Sequence, residues 1–119
     1  MLRDIFRKMK PIIKKEIDIA KKAATKAGNI LQDQKSELNK ILSSTRRDIK
    51  LQADLSAEKV IKDIIQSESS YPILAEESGP SSKTTSNTFW VVDPLDGTAN
   101  YSRNIPICCV SIGLISDLK

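Results

Sequence analysis

Apolar residues recur along the first third of the chain at Ile5, Met9, Ile12, Ile13, Ile17, Ala20, Ala24, Ala27 and Leu31, the three-and-four spacing of an amphipathic helix. Pro11 fits a first helical turn, where its missing N–H has no intrahelical acceptor to lose. The spacing therefore predicts a helix from Pro11, with Met1 to Lys10 as a separate short lead. Gly28 either ends this helix or is tolerated inside it. Residues Gln32 to Thr45 are polar and weakly periodic, and read as a frayed helix end and a loop. Ala57, Val60, Ile61, Ile64 and Ile65 then form a second helical face, with Asp54 and Ser56 both placed to cap it.

After Ser70 the pattern shortens to that of strands. Tyr71 to Ala75 reads as a short strand closed by Glu76-Glu77-Ser78-Gly79, and the Ser- and Thr-rich stretch from Pro80 to Asn87 as a mobile loop. Thr88 to Val92 forms another strand. Pro106 to Ile115, with Ile107, Val110, Ile112, Leu114 and Ile115, reads as a strand buried on much of both faces. The connections hold no helix long enough for a crossover, which predicts an antiparallel sheet against two helices and an α+β class. At 119 residues the chain is one domain's worth.

Composition narrows the classes. A hydrophobic share of 39% with 29% charged residues belongs to a folded soluble protein. Residues 1–50 carry 14 basic and 6 acidic side chains, net +8, whereas residues 51–119 carry 5 and 9, net −4. A basic first half suits nucleic acid or an acidic membrane surface. Its lysines alternate with an apolar stripe and lack aromatic stacking partners, which favours a solvated helix face. The first ten residues contain no apolar signal core, and Ile105 to Ile115 is too short to span a bilayer. A cytoplasmic protein is expected. The adjacent Cys108 and Cys109 would point to opposite faces of a strand, so reduced core thiols are expected. No arginine follows Cys109 at the distance a thiol phosphatase needs. The chain has no histidine, which excludes phosphohistidine chemistry, histidine triads and the usual zinc sites.

The stretch Phe89 to Tyr101 concentrates the chemistry. An apolar run delivers Asp93 and Asp96, hard oxygen ligands suited to Mg²⁺ or Mn²⁺. Pro94 fixes the backbone between them, so the Leu95 carbonyl can turn towards the same cation. Gly97 permits close approach of a ligand. A helix starting near Thr98 would offer the amides of Gly97, Thr98 and Ala99 to an anion. Cation and anion sites together suggest phosphate chemistry; the plainer alternative is a solvated acidic turn. Haloacid-dehalogenase and EF-hand spacings do not fit.

The string Asp-Pro-Leu-Asp-Gly-Thr-Ala-Asn from Asp93 to Asn100 resembles the Asp-Pro-hydrophobic-Asp-Gly-Thr-x-Asn signature of the inositol monophosphatase family. Asp48 to Asp54 is similar to that family's Asp-x-Val-Thr-x-x-Asp segment, with Lys50 and Leu51 in place of valine and threonine. Glu76-Glu77-Ser78 resembles its Gly-Glu-Glu-Ser motif, with Ala75 for glycine. The resemblance implies the N-terminal half of a layered αβαβα fold. It also implies a Mg²⁺-dependent, lithium-sensitive phosphatase that hydrolyses inositol 1-phosphate or a related sugar or nucleotide phosphate by metal-activated water. On that basis Glu76, Asp93, Asp96 and the Leu95 carbonyl are metal ligands. Thr98, partnered by Asp54, orients or deprotonates the water. Leu95, Asp96, Gly97 and Thr98 hold the phosphate, with Glu77 and Asn100 in support. A homodimer is implied for a complete enzyme. The family's later Trp-Asp-x-Ala-Ala-Gly motif is absent, since the only tryptophan is Trp90. Residues 1–119 therefore read as the N-terminal metal-binding part, a fragment or one partner of a second polypeptide, with little turnover expected alone. The competing reading is a non-catalytic remnant, or a regulatory module contacting RNA or protein through its basic first helix.

Overall fold

The computed structural model describes residues 11–34, 41–44, 49–75, 79–80 and 87–116. Helix α1 spans Pro11–Asp33, with Pro11 at its head and Gly28 inside it. Its buried face comprises Glu16, Ile19, Ala23, Ala27 and Leu31, while Ile17, Ala20 and Ala24 are half-buried. The face is thus turned by about one position from the predicted stripe. Ala23 and Ala27 have short side chains, which lets the second helix lie close against them. That helix, α2, spans Gln52–Glu68 and buries Ala53, Asp54, Ala57, Glu58, Ile61 and Ile65. Lys22 Nζ and Glu68 Oε2 link the two at 3.1 Å, both exposed, so the pair adds little stability. No helix among the described residues is long and apolar enough to cross a membrane.

Strands β1 (Ile41–Ser44) and β2 (Ile49–Leu51) form an antiparallel ribbon, where a loop was expected for the first. Such short strands leave too few positions for alternation to show. The main sheet contains β3 (Ile73–Ala75), β4 (Gly79–Pro80), β5 (Thr88–Asp96) and β6 (Cys109–Ser116), in the order β4-β3-β5-β6. The α+β class holds, but the sheet is mixed: β3 and β5 run parallel. The cause is β4, which pairs antiparallel outside β3 and returns the chain to the end from which β3 started. No crossover helix is needed. The expected loop from Pro80 to Asn87 falls mostly outside the described residues.

One face of this sheet is sealed by the helices. Ile73, Ala75, Trp90 and Val92 are each at most 2% exposed there, with α2 against β5 and α1 against β6. The other face is more open: Leu74 is 41% exposed, and Phe89, Val91 and Ile115 are half-buried. Strand β6 is likewise not buried on both sides as expected. It is an edge strand, so only Val110 and Ile112 pack against the core, while Cys109, Ser111 and Gly113 are exposed. Cys108 and Cys109 are free thiols, as expected, but exposed and not in the core.

Two polar ties hold the layers together. Trp90 donates from Nε1 to Ser69 Oγ at 3.0 Å, joining the sheet to the end of α2. Tyr101 donates from its hydroxyl to Leu31 O at 2.7 Å, a carbonyl in the last turn of α1, where intrahelical donors run out. Burial, and secondarily the charge of Cys108, holds the Tyr101 phenol above its ordinary value of 10.0. A raised folded-state value means that this stabilisation is complete below pH 10 and is lost as pH rises through the folded-state value. Tyr101→Phe removes the hydroxyl donor to the Leu31 carbonyl and should cost about 1–3 kcal/mol, read as a lower urea midpoint at pH 7. The variant should also lose less stability than the parent above pH 10.

Candidate functional site

Strand β5 does not stop at Val92 but continues to Asp96 through Pro94, a residue normally barred from a strand interior. The ladder to β6 shows how. Asp93 lies opposite Ser111 and Asp96 opposite Cys109, with a register shift between. Three steps on β5 match two on β6, so one extra residue is bulged out. In a regular strand, residues three apart face opposite sides. Here the bulge places Asp93 and Asp96 on one side, the side of Ser111 and Cys109 and of Val91. Pro94 and Leu95 are buried beneath them, Asp93 is half-buried and Asp96 exposed. The Leu95 amide donates to Asp93 Oδ1 at 3.3 Å, an Asx turn that steadies the carboxylate.

Gly97 follows in the left-handed region, with φ +91°. A Cβ on it would lie 2.8 Å from Ile107 O and 3.2 Å from Cys108 Cα. Glycine is thus required both by conformation and by space. A short helix, α3, then runs Thr98–Ser102, with Tyr101 N donating to Gly97 O at 3.0 Å. Asn100 does not point to the carboxylates. Its Nδ2 donates to Ile107 O at 2.8 Å, and its carbonyl accepts from Ile105 N at 2.8 Å, so it ties α3 to the lead into β6.

Asp54 partners Thr98, as the resemblance implied, but does not take the N-cap position that its place before the helix suggested. It is the third residue of α2, not its N-cap, and Oδ2 reaches back to accept the Leu51 amide at 2.9 Å. Its other oxygen, Oδ1, accepts from Thr98 Oγ1 at 2.9 Å. The Thr98 hydroxyl also lies 3.1 Å from Leu95 O, so its one proton has two acceptors. Asp54 is 2% exposed, where a carboxylate needs such donors to stay charged.

Of the residues expected at the site, Asp54, Asp93, Leu95, Asp96, Gly97 and Thr98 converge. Glu76 and Glu77 lie outside the described residues, as does Asp48. No three ligating side chains gather among the described residues. The donor set is hard oxygen throughout, which fits a hard divalent cation and not a soft one. The Cys109 thiol, 3.8 Å from Asp96 Oδ2, was not expected there. No sequence signal marks it, because its position follows from the bulged register. Partial desolvation against the turn, and then the charge of the neighbouring Asp96, push that exposed thiol upward from its ordinary value.

This arrangement of a mixed sheet and two helices has counterparts among known proteins. The profile of the inositol monophosphatase family matches residues 13–119. A Xylella fastidiosa protein named Nus factor SuhB is 40% identical over 107 residues, covering 87% of this chain and 38% of that protein. An inositol-1-monophosphatase of Synechocystis is 37% identical, covering 83% of this chain and 35% of its own length. Among solved structures, the inositol monophosphatase of Anabaena superposes with a TM-score of 0.71 at 36% identity, over 88% of this chain and 36% of that one. The Bartonella henselae suhB protein gives 0.75 at 35%, over 85% and 40%. The chain belongs to the inositol monophosphatase family, and it spans well under half the length of these relatives.

Gly97→Ala forces an alanine to a positive φ with its Cβ against a backbone carbonyl. The expected loss is about 2–4 kcal/mol, seen as a lower thermal midpoint. Gly28→Ala, whose added Cβ meets nothing within 4 Å, should not lower it.

Proposed function

We propose that this chain carries the cation- and phosphate-binding part of a Mg²⁺-dependent phosphomonoesterase acting on inositol 1-phosphate or a related sugar or nucleotide phosphate. The observation that carries this reading is the Thr98–Asp54 hydrogen bond at 2.9 Å, set directly behind a turn whose bulge aligns Asp93 and Asp96. Asp93, Asp96 and the Leu95 carbonyl would hold the cation, with Mn²⁺ as a possible substitute. Glu76, bonded to Ala75 at the end of β3, would join them, with Glu77 in support. When bound, the cation supplies Lewis-acid shielding of the phosphoryl charge and lowers the pKa of water.

The remaining steps belong to the chain. A Thr98 proton directed to Asp54 leaves the Oγ1 lone pairs free to accept a hydrogen bond from water, aligning its oxygen for attack on phosphorus. The first amides of α3 lack intrahelical acceptors by construction, and together with Gly97 they can bind phosphate oxygens. Asn100 holds α3 in place through Ile107. Because the relatives extend well beyond the matched region, turnover is proposed for the chain together with the region they carry in addition.

A second reading rests on Lys14, Lys15, Lys21, Lys22 and Lys26, all exposed along α1, and on relatives named as Nus factors. It is a regulatory contact with RNA or protein, independent of the acidic turn. The two readings separate in one comparison. With the additional region of the Synechocystis relative supplied, the chain should release phosphate from inositol 1-phosphate only with Mg²⁺, with inhibition by lithium. Asp93→Asn should lower the rate at least 100-fold. Undiminished release in Asp93→Asn would refute the enzymatic reading, whereas salt-sensitive RNA binding indifferent to that substitution would support the second.

A further inference from the structure

The lead into β6 touches the acidic turn at three points. Ile107 O accepts the Asn100 side-chain amide at 2.8 Å. The backbone of Ile107 and Cys108 closes over Gly97 so tightly that only a hydrogen fits. Cys109 then lies directly across the ladder from Asp96, its Sγ 3.8 Å from Oδ2. The first two contacts fix the backbone just before Cys109 and just after Asp96. The thiol is therefore carried on a clamped segment and not on a free surface strand.

Asp96 has reason to need such a partner. It is exposed, so burial does not restrain its side chain, whereas Asp93 receives the Leu95 amide and Asp54 receives two donors. The S–H is a weak donor but a directional one. It occupies Oδ2 and leaves Oδ1 for another partner.

We infer that Cys109 is a positioning residue for Asp96, donating from its thiol to Oδ2 so that the other carboxylate oxygen is presented beside Asp93. The inference rests on the proposed cation site and specifies how one of its ligands is oriented. Cys109 itself contributes no bond to the cation.

Mn²⁺ titration of the 119-residue chain, followed by the paramagnetic resonance of the free ion, tests this. Groups that support metal ligands typically contribute 10- to 100-fold in affinity, and a thiol donor less, so Cys109→Ala should weaken Mn²⁺ binding about three- to tenfold. Cys109→Ser, which restores a donor, should return it to within about twofold of the parent. In an Asp96→Asn background Cys109→Ala should have no further effect. Parental affinity in Cys109→Ala, or an equal loss in the Asp96→Asn background, overturns the inference. Mn²⁺ binding indifferent to both Asp93→Asn and Asp96→Asn overturns the cation site itself, a distinct result. Should the parent chain bind no Mn²⁺, the same cycle read in urea with chelator decides: coupling between positions 96 and 109 supports the contact, and additive effects overturn it.

Discussion

A single buried carboxylate joins the two parts of the chain that matter most. Asp54 lies in the first turn of α2, yet its two oxygens serve different elements: one closes the start of its own helix through Leu51 N, and the other receives Thr98 from 44 residues further along. At 2% exposure it cannot exchange either donor for water without cost. The position of α2 therefore determines where Thr98 stands, and Thr98 in turn lies against the Leu95 carbonyl in the acidic turn. A helix terminus and the Thr98 hydroxyl are fixed by the same carboxylate.

The second constraint is the backbone of the turn. A proline, a bulge and a left-handed glycine follow one another between Asp93 and Thr98, and each excludes most alternatives at its position. The core beneath supplies the rigidity: Trp90 and Val92 are sealed against the helices, and Tyr101 anchors α3 to the end of α1. The polar groups of the site rest on apolar packing on one side and on the clamped Ile107–Cys109 backbone on the other.

Legibility in the sequence followed how local each cause is. Pro94, Gly97 and Thr98 have backbone requirements that belong to the residues themselves, so the acidic turn and the short helix after it were readable. The apolar spacing of Ala57, Ile61 and Ile65 was enough for α2. What could not be read depends on partners distant in sequence. The parallel pairing of β3 and β5 comes from where β4 returns the chain. The rotation of α1 depends on its packing against α2 and β6. The exposure of β6 comes from its place at the sheet edge, which also turned the expected core thiols outward. Asp54 illustrates the boundary: its neighbours suggested an N-cap or a partner for Thr98, and only the fold reveals that it sits at the third helical position, accepts the Leu51 amide and also receives Thr98.

The same bulge has a geometric corollary. By turning Asp93 and Asp96 to the side of Val91, it places them on the sheet surface that the helices leave open, next to Phe89, Leu74 and Ile115. A body lying on that surface as far along β5 as Ser111 and Cys109 would therefore also cover the two carboxylates and reduce their contact with water.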